Sequence, residues 1–184
     1  VISQSRKNKA SNWRFCLTSI GAISCEGVPE IRLSVLRGYP VMGMLRLPTR
    51  QSQGKANLHQ GAIGVGVDLA TGVTLGGTWH NRIISRHPDT TNPVAGVQLP
   101  DWQEFMTLAS GCYELTGLGY IGVDLVLDKD QGAMMLEINA RPGLNIQIAN
   151  DDGLMRRCEL VGAHIAERQR PGVKRPPVGE RGAF

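Results

Sequence analysis

The sequence predicts an α+β domain, a mostly antiparallel sheet with flanking helices. Three observations predict it. Glycine and proline together make 33 of the 184 residues, which favours many turns and short strands over a helical bundle. Short apolar runs recur in hairpin-sized pairs between turn residues. Two segments, one after Pro100 and one after Asp152, carry apolar residues at helical spacing. The length suits one domain with a core that needs no metal or disulfide staple.

The elements follow in order. Residues 1–25 are rich in Ser, Lys and Asn and read as a disordered or remnant segment. Order is expected from Glu26, with 26–168 as the domain and 169–184 as a disordered basic tail. Ile31–Leu36 and Val41–Leu47 read as a hairpin about Arg37-Gly38-Tyr39-Pro40. Residues 49–60 read as a polar loop. Ala62–Leu69 and Val73–Trp79 form a second hairpin, and 80–100 an irregular loop rich in His, Pro and Asn. Asp101 is the expected N-cap of a helix to about Leu115, with Glu104 at the capping-box position. Trp102, Phe105, Met106, Ala109 and Tyr113 mark its core face. Tyr120–Leu127 and Met134–Asn139 form a third hairpin, followed by a loop over 140–150. Asp151-Asp152 is expected to cap a last helix that buries Leu154, Cys158, Val161 and Ile165.

Charge is placed at the ends. Residues 1–25 carry +4 and 169–184 carry +3, so the middle carries −3 of the +4 total. A net positive charge confined to the tails argues for solvated ends over a nucleic-acid face. No run approaches the roughly 18 apolar residues of a membrane span. The basic stretch up to Arg14 and the uncharged run from Phe15 to Cys25 mimic a signal peptide, but Thr18, Ser19 and Ser24 interrupt it. Cys16, Cys25, Cys112 and Cys158 form no C-x-x-C pair and read as reduced thiols of a cytoplasmic protein.

The chemistry concentrates near the third hairpin. Glu137 and Asn139 are two apart on one strand and share a face. A turn about Asp130-Gln131 sets Asp124 directly across from Glu137. Opposed carboxylates repel. Such a pair takes up a proton or binds a cation, and two carboxylates with an amide oxygen suit Mg²⁺. The alternative is a solvated face on which Arg or Lys pairs with Asp124 and Glu137. Arg46, Arg50, Lys55 and Asn57 offer donors for phosphate oxygens, or simply line a solvated loop. Gly61–Gly66 reads as a glycine-rich strand and not a P-loop, because no Gly-Lys-Ser/Thr follows. His59, His80 and His87 are scattered, so hydrolase and zinc readings lack support.

These segments resemble those of ATP-grasp carboxylate–amine ligases, and among them the alpha-L-glutamate ligase-like proteins. The resemblance rests on Gly27-Val28-Pro29-Glu30-Ile31-Arg32, on Met44–Arg50 and on Gly54–Gly61. It rests also on Gly119–Asp124 and on Glu137-Ile138-Asn139-Ala140-Arg141-Pro142-Gly143, and spans about residues 26–165. It implies the C-terminal subdomain of an ATP-grasp enzyme that uses ATP and Mg²⁺, with Mn²⁺ able to substitute. Asp124, Glu137 and Asn139 would hold the metal. Lys55, Asn57 and Asn139 would contact the nucleotide, and Arg46 and Arg141 would be catalytic. Such enzymes phosphorylate a carboxylate and let an amine attack the acyl-phosphate. The expected partner is an amino acid or a peptide or protein carboxylate, without nucleic acid or membrane, and with a homo-oligomer allowed. The family's preceding domain and small glycine-rich subdomain have no counterpart in residues 1–25. A C-terminal portion is therefore expected, and a non-catalytic nucleotide-binding or interaction remnant is the alternative.

Overall fold

The computed structural model describes residues 26–168 and 176–181, together with 20, 23 and 24. Among the described residues, seven strands form one sheet in the order β5-β4-β3-β2-β1-β6-β7, every neighbouring pair antiparallel. They are β1 (Glu30–Leu36), β2 (Tyr39–Leu47), β3 (Ile63–Val67), β4 (Thr74–Trp79), β5 (Arg82–Ile84), β6 (Tyr120–Asp128) and β7 (Gly132–Asn139). The helices α1 (Trp102–Thr116), α2 (Asn145–Asn150) and α3 (Leu154–Arg168), among the described residues, pack on it. This is the α+β architecture that the sequence predicts.

Alternation along the central strands creates two different faces. Ile31, Leu33 and Val35 of β1 lie with Leu45 and Leu47 of β2, Val65 of β3 and Ile121, Val123 and Leu125 of β6. Phe105, Met106, Ala109 and Cys112 of α1 cover them, as the helical spacing predicts. The opposite face is split. One part is apolar, where Met42 and Met44 meet Ile146 and Ala149 of α2 and Val161 and Ile165 of α3. The other part carries Glu30, Arg32, Arg46 and Asp124. A one-residue slip of β1 would drive Arg32 into the α1 core and Leu33 out of it, so this mixture fixes the register.

Glycines let α2 approach the sheet. A Cβ at Gly66 would lie 2.5 Å from the carbonyl oxygen of Ala149. Asn150 then donates through Nδ2 to the Gly43 carbonyl at 2.8 Å, which ties α2 to β2. Gly64 and Gly66 of the glycine-rich run thus lie in β3 and present bare backbone to the helix, whereas Gly61 precedes the strand and ends the 3₁₀ turn with φ 100°.

Several expectations need correction. Residues 80–100 include β5, paired with β4, and 140–150 include α2. Asp101 stands at the N-cap of α1 in the left-handed region, φ 51°, and makes no side-chain cap. Its carbonyl, not its carboxylate, accepts the Glu104 N–H, so the capping box does not form. Asp151 ends α2, Asp152 pairs with Arg157, and the Leu154 N–H is taken by Gln147 Oε1. Order also extends beyond 26–168. Ile20 and Ile23 are buried against the α1-side core. Residues 176–181 include a 3₁₀ turn, Val178–Glu180, and the buried Arg181 donates to Glu114 at 2.7 Å. A basic residue assigned to a solvated tail is therefore part of the packed domain. Cys16, Cys25, and the remainder of 1–25 and of 169–184, lie outside the described residues.

Candidate functional site: an arginine–carboxylate row across four strands

The row begins with strand register. Glu30 of β1 lies opposite Arg46 of β2, and Arg32 lies opposite Asp124 of β6. Asp124 in turn lies opposite Glu137 of β7. The expected Asp124–Glu137 opposition is therefore present, though by a different route. Near the turn the hairpin pairs Asp128 with Gly132 and Leu125 with Met135. Leu136 is the extra residue of a bulge that restores Glu137 to the face of Asp124. Without that bulge Asp124 would oppose Leu136.

The side chains then join across the strands. Arg32 holds Asp124 bidentately, Nε to Oδ1 and Nη2 to Oδ2, both at 2.5 Å. Arg46 Nη2 lies 3.0 Å from Asp124 Oδ1 and donates to Glu30 Oε2 at 2.5 Å. Asn139 Nδ2 reaches Asp124 Oδ2 at 3.4 Å. Asp124 is 5% exposed and Arg46 9%. Charges so dry are stable only when paired, and removing one partner typically costs about 3–5 kcal/mol. Arg46 Nε is buried with no hydrogen-bond partner among the described residues. Glu137 is exposed at the rim of the row.

The electrostatics follow from burial. Desolvation raises the Glu30 pKa, Asp124 and Glu137 push it the same way, and the two arginines oppose them. Burial alone would lower the Arg32 pKa, but the hydrogen bonds and charge of Asp124 more than offset it and raise it. Both arginines stand among three carboxylates, Glu30, Asp124 and Glu137.

The other candidates lie apart. Lys55 and Asn57 are exposed on the loop after β2, where Asn57 Oδ1 accepts the His59 N–H and caps a 3₁₀ turn. Arg141 is exposed on the loop after β7. That loop is seated by Gly122, where a Cβ would meet Pro142 at 2.6 Å. His87 is buried: Nε2 donates to the Pro48 carbonyl at 2.9 Å, and Nδ1 accepts the Asp89 and Thr90 N–H groups. It pins loops together. Glu30 and Arg32 are the members that motif reading missed as site residues. Their signal was available, since Glu30, Arg32 and Ser34 alternate with Ile31, Leu33 and Val35 on a strand hydrophobic enough to be central.

Among the described residues, no group of three or more His, Cys, Asp or Glu side chains is placed to hold a metal ion. The donor chemistry nevertheless fits a hard divalent cation. Asp124, Glu137 and Asn139 share one face on adjacent strands, and the Asn139 amide turns its nitrogen, not its oxygen, toward Asp124.

The antiparallel sheet with helices on both faces is consistent with the ATP-grasp fold. Residues 17–163 match the model of the sugar-transfer associated ATP-grasp family, and the chain belongs to that family. The match carries the ATP-grasp fold and not the narrower glutamate-ligase subtype. A similar solved structure is titled "Structure of ATP-grasp ligase PsnB complexed with minimal precursor". It is 15% identical with a TM-score of 0.37, covering 76% of this chain and 35% of that one. The present chain thus spans about a third of that protein's length. No curated protein matches the chain. No described helix is long and apolar enough to cross a membrane.

Proposed function

We propose that this chain contributes the phosphate-binding face of an ATP-dependent ligase that joins a carboxylate to an amine through an acyl-phosphate. The observation that carries the reading is the row of Arg46, Glu30, Arg32, Asp124 and Glu137 across four adjacent strands of an ATP-grasp sheet. Glu137 and Asn139, with Asp124, would hold Mg²⁺ or Mn²⁺. When bound, the metal neutralises charge on the ATP phosphates. Arg46 is held in place by Glu30 and Asp124 and keeps a buried N–H uncommitted, which suits it to an anionic oxygen where charge develops. Lys55, Asn57 and Asn139 would contact nucleotide. Arg141 would clamp a substrate carboxylate through its planar fork. The substrate class is an amino acid or a peptide or protein carboxylate, and the setting is the ATP-rich cytoplasm, where Cys112 and Cys158 remain free thiols.

A second reading, nucleotide binding without turnover, draws on the occupation of both Asp124 oxygens by Arg32. The test is ADP formation from Mg-ATP by the 184-residue chain with a panel of amino acids and short peptides. Carboxylate-dependent ADP release that Arg46→Met abolishes supports the ligase. A folded chain that binds Mg-ADP but forms no ADP with any carboxylate contradicts it and favours binding alone.

A further inference from the structure

Asp124 has no room for a cation as it stands. A carboxylate offers about four lone-pair positions. Oδ1 faces Arg32 Nε and Arg46 Nη2, and Oδ2 faces Arg32 Nη2 and Asn139 Nδ2. A metal can reach Asp124 only if one of these donors leaves.

The three donors are not equally tethered. Arg46 is anchored a second time by Glu30 at 2.5 Å. Asn139 is itself a candidate ligand on the same face. Arg32 has Asp124 as its hydrogen-bond partner and no other among the described residues. Its side chain is also the more accessible of the two arginines, 14% against 11%. Its stem passes Gly122, where Pro142 packs from the other side at 2.6 Å from the position of a Cβ. A Cβ there would lie 3.6 Å from Arg32 Cδ.

We propose that Arg32 is a placeholder cation. It neutralises Asp124 while the site holds no metal, and it is expelled when a divalent cation takes that carboxylate. The exchange of one positive group for another keeps the buried face close to neutral in both states, which avoids the cost of a bare buried carboxylate. The expelled guanidinium then stands beside the metal as a fork for a phosphate or carboxylate. This rests on the cation-site reading of Asp124, Glu137 and Asn139. It adds that the site is gated, and that the gate is a residue of β1.

The experiment measures Mn²⁺ binding without nucleotide, by the electron paramagnetic resonance signal of free Mn²⁺. The wild type, Arg32→Gln, Arg32→Lys and Glu137→Gln are compared, with circular dichroism to check folding. The expected result is that Arg32→Gln binds Mn²⁺ at least about tenfold more tightly than wild type, because a competing charge is gone. Arg32→Lys, which keeps the charge, stays nearer to wild type. Equal or weaker binding by a folded Arg32→Gln, beside a wild type that binds, overturns the gate and leaves the cation site standing. No binding by any variant overturns both. A second readout needs no destabilising change. In the wild type, the Arg32 Nε–H resonance, assigned by its loss in Arg32→Lys, is followed as Mg²⁺ is added. It should move with the binding isotherm. An unmoved resonance at saturating Mg²⁺ refutes the expulsion.

Discussion

Replacing Gly66 with alanine tests how α2 is seated on the sheet that carries the row. The new Cβ would stand 2.5 Å from the Ala149 carbonyl oxygen and 3.0 Å from Asn150 Cα. An ordinary C···O approach is about 3.3–3.6 Å, so α2 must withdraw by about 1 Å. Both obstacles are backbone, which no rotamer change relieves. Overpacking of this kind costs about 1–3 kcal/mol. Weakening the Asn150–Gly43 hydrogen bond adds about 1 kcal/mol, and the lower entropy of an unfolded chain with alanine returns about 0.4–1 kcal/mol. The net loss is about 1–3 kcal/mol, or roughly 3–10 °C in melting temperature for a domain of this size. Gly76 is the control, because a Cβ there meets nothing within 4 Å and its φ is not in the left-handed range. Gly76→Ala should therefore stay within about 0.5 kcal/mol of wild type or gain slightly. Urea denaturation of the three proteins decides. Equal midpoints for Gly66→Ala and Gly76→Ala would refute the close seating of α2.

Glu30 gives a pH signature. Burial raises its folded pKa above the ordinary 4.5, so folding takes up a proton between the two values. Its contribution to stability is flat below the unfolded pKa and falls as pH rises through the raised one. The stability of wild type relative to Glu30→Gln should thus decline as pH rises from about 4.5 upward, measured by urea melts from about pH 4 to about pH 8. A flat difference would contradict this. His87→Leu leaves the buried Pro48 carbonyl with only the longer bond from Ser24 Oγ at 3.4 Å and removes the acceptor of two backbone N–H groups. A loss of about 2–4 kcal/mol is expected in the same assay, and a loss under about 0.5 kcal/mol would show that His87 is not a pin. Arg181→Met should destabilise by about 1–3 kcal/mol by removing the buried guanidinium and its bonds to the Glu114 carboxylate and the Pro176 carbonyl. Unchanged stability would show that this segment does not pack as described.

The parts of the fold legible in the sequence are those with enough residues to display a period. All the long strands and both fifteen-residue helices appear where alternation and helical spacing put them. β5 has three residues and α2 six, too few for any period to register. Capping failed for a different reason. Asp101 and Asp151 both adopt positive φ, so their local backbone serves a turn and their carboxylates are not aimed at a helix. At the site, the Asp124–Glu137 opposition was readable, but the bulge at Leu136 that produces it was not. The partners of Asp124 were hidden by distance in sequence: Arg32 is 92 residues away and comes alongside only because β6 pairs with β1 and not with the preceding strand. Charged residues on a strand look alike whether they face water or one another. Only the neighbouring strand decides which.

The central claim is that the row from Arg46 to Glu137 binds a metal-nucleotide. Its most direct test is a calorimetric titration of Mg-ADP into the 184-residue chain, beside Glu137→Gln and the control Glu159→Gln on the exposed side of α3. The account predicts binding in wild type and in Glu159→Gln, and its loss in a folded Glu137→Gln. Binding of equal strength in all three would contradict it and place the nucleotide elsewhere.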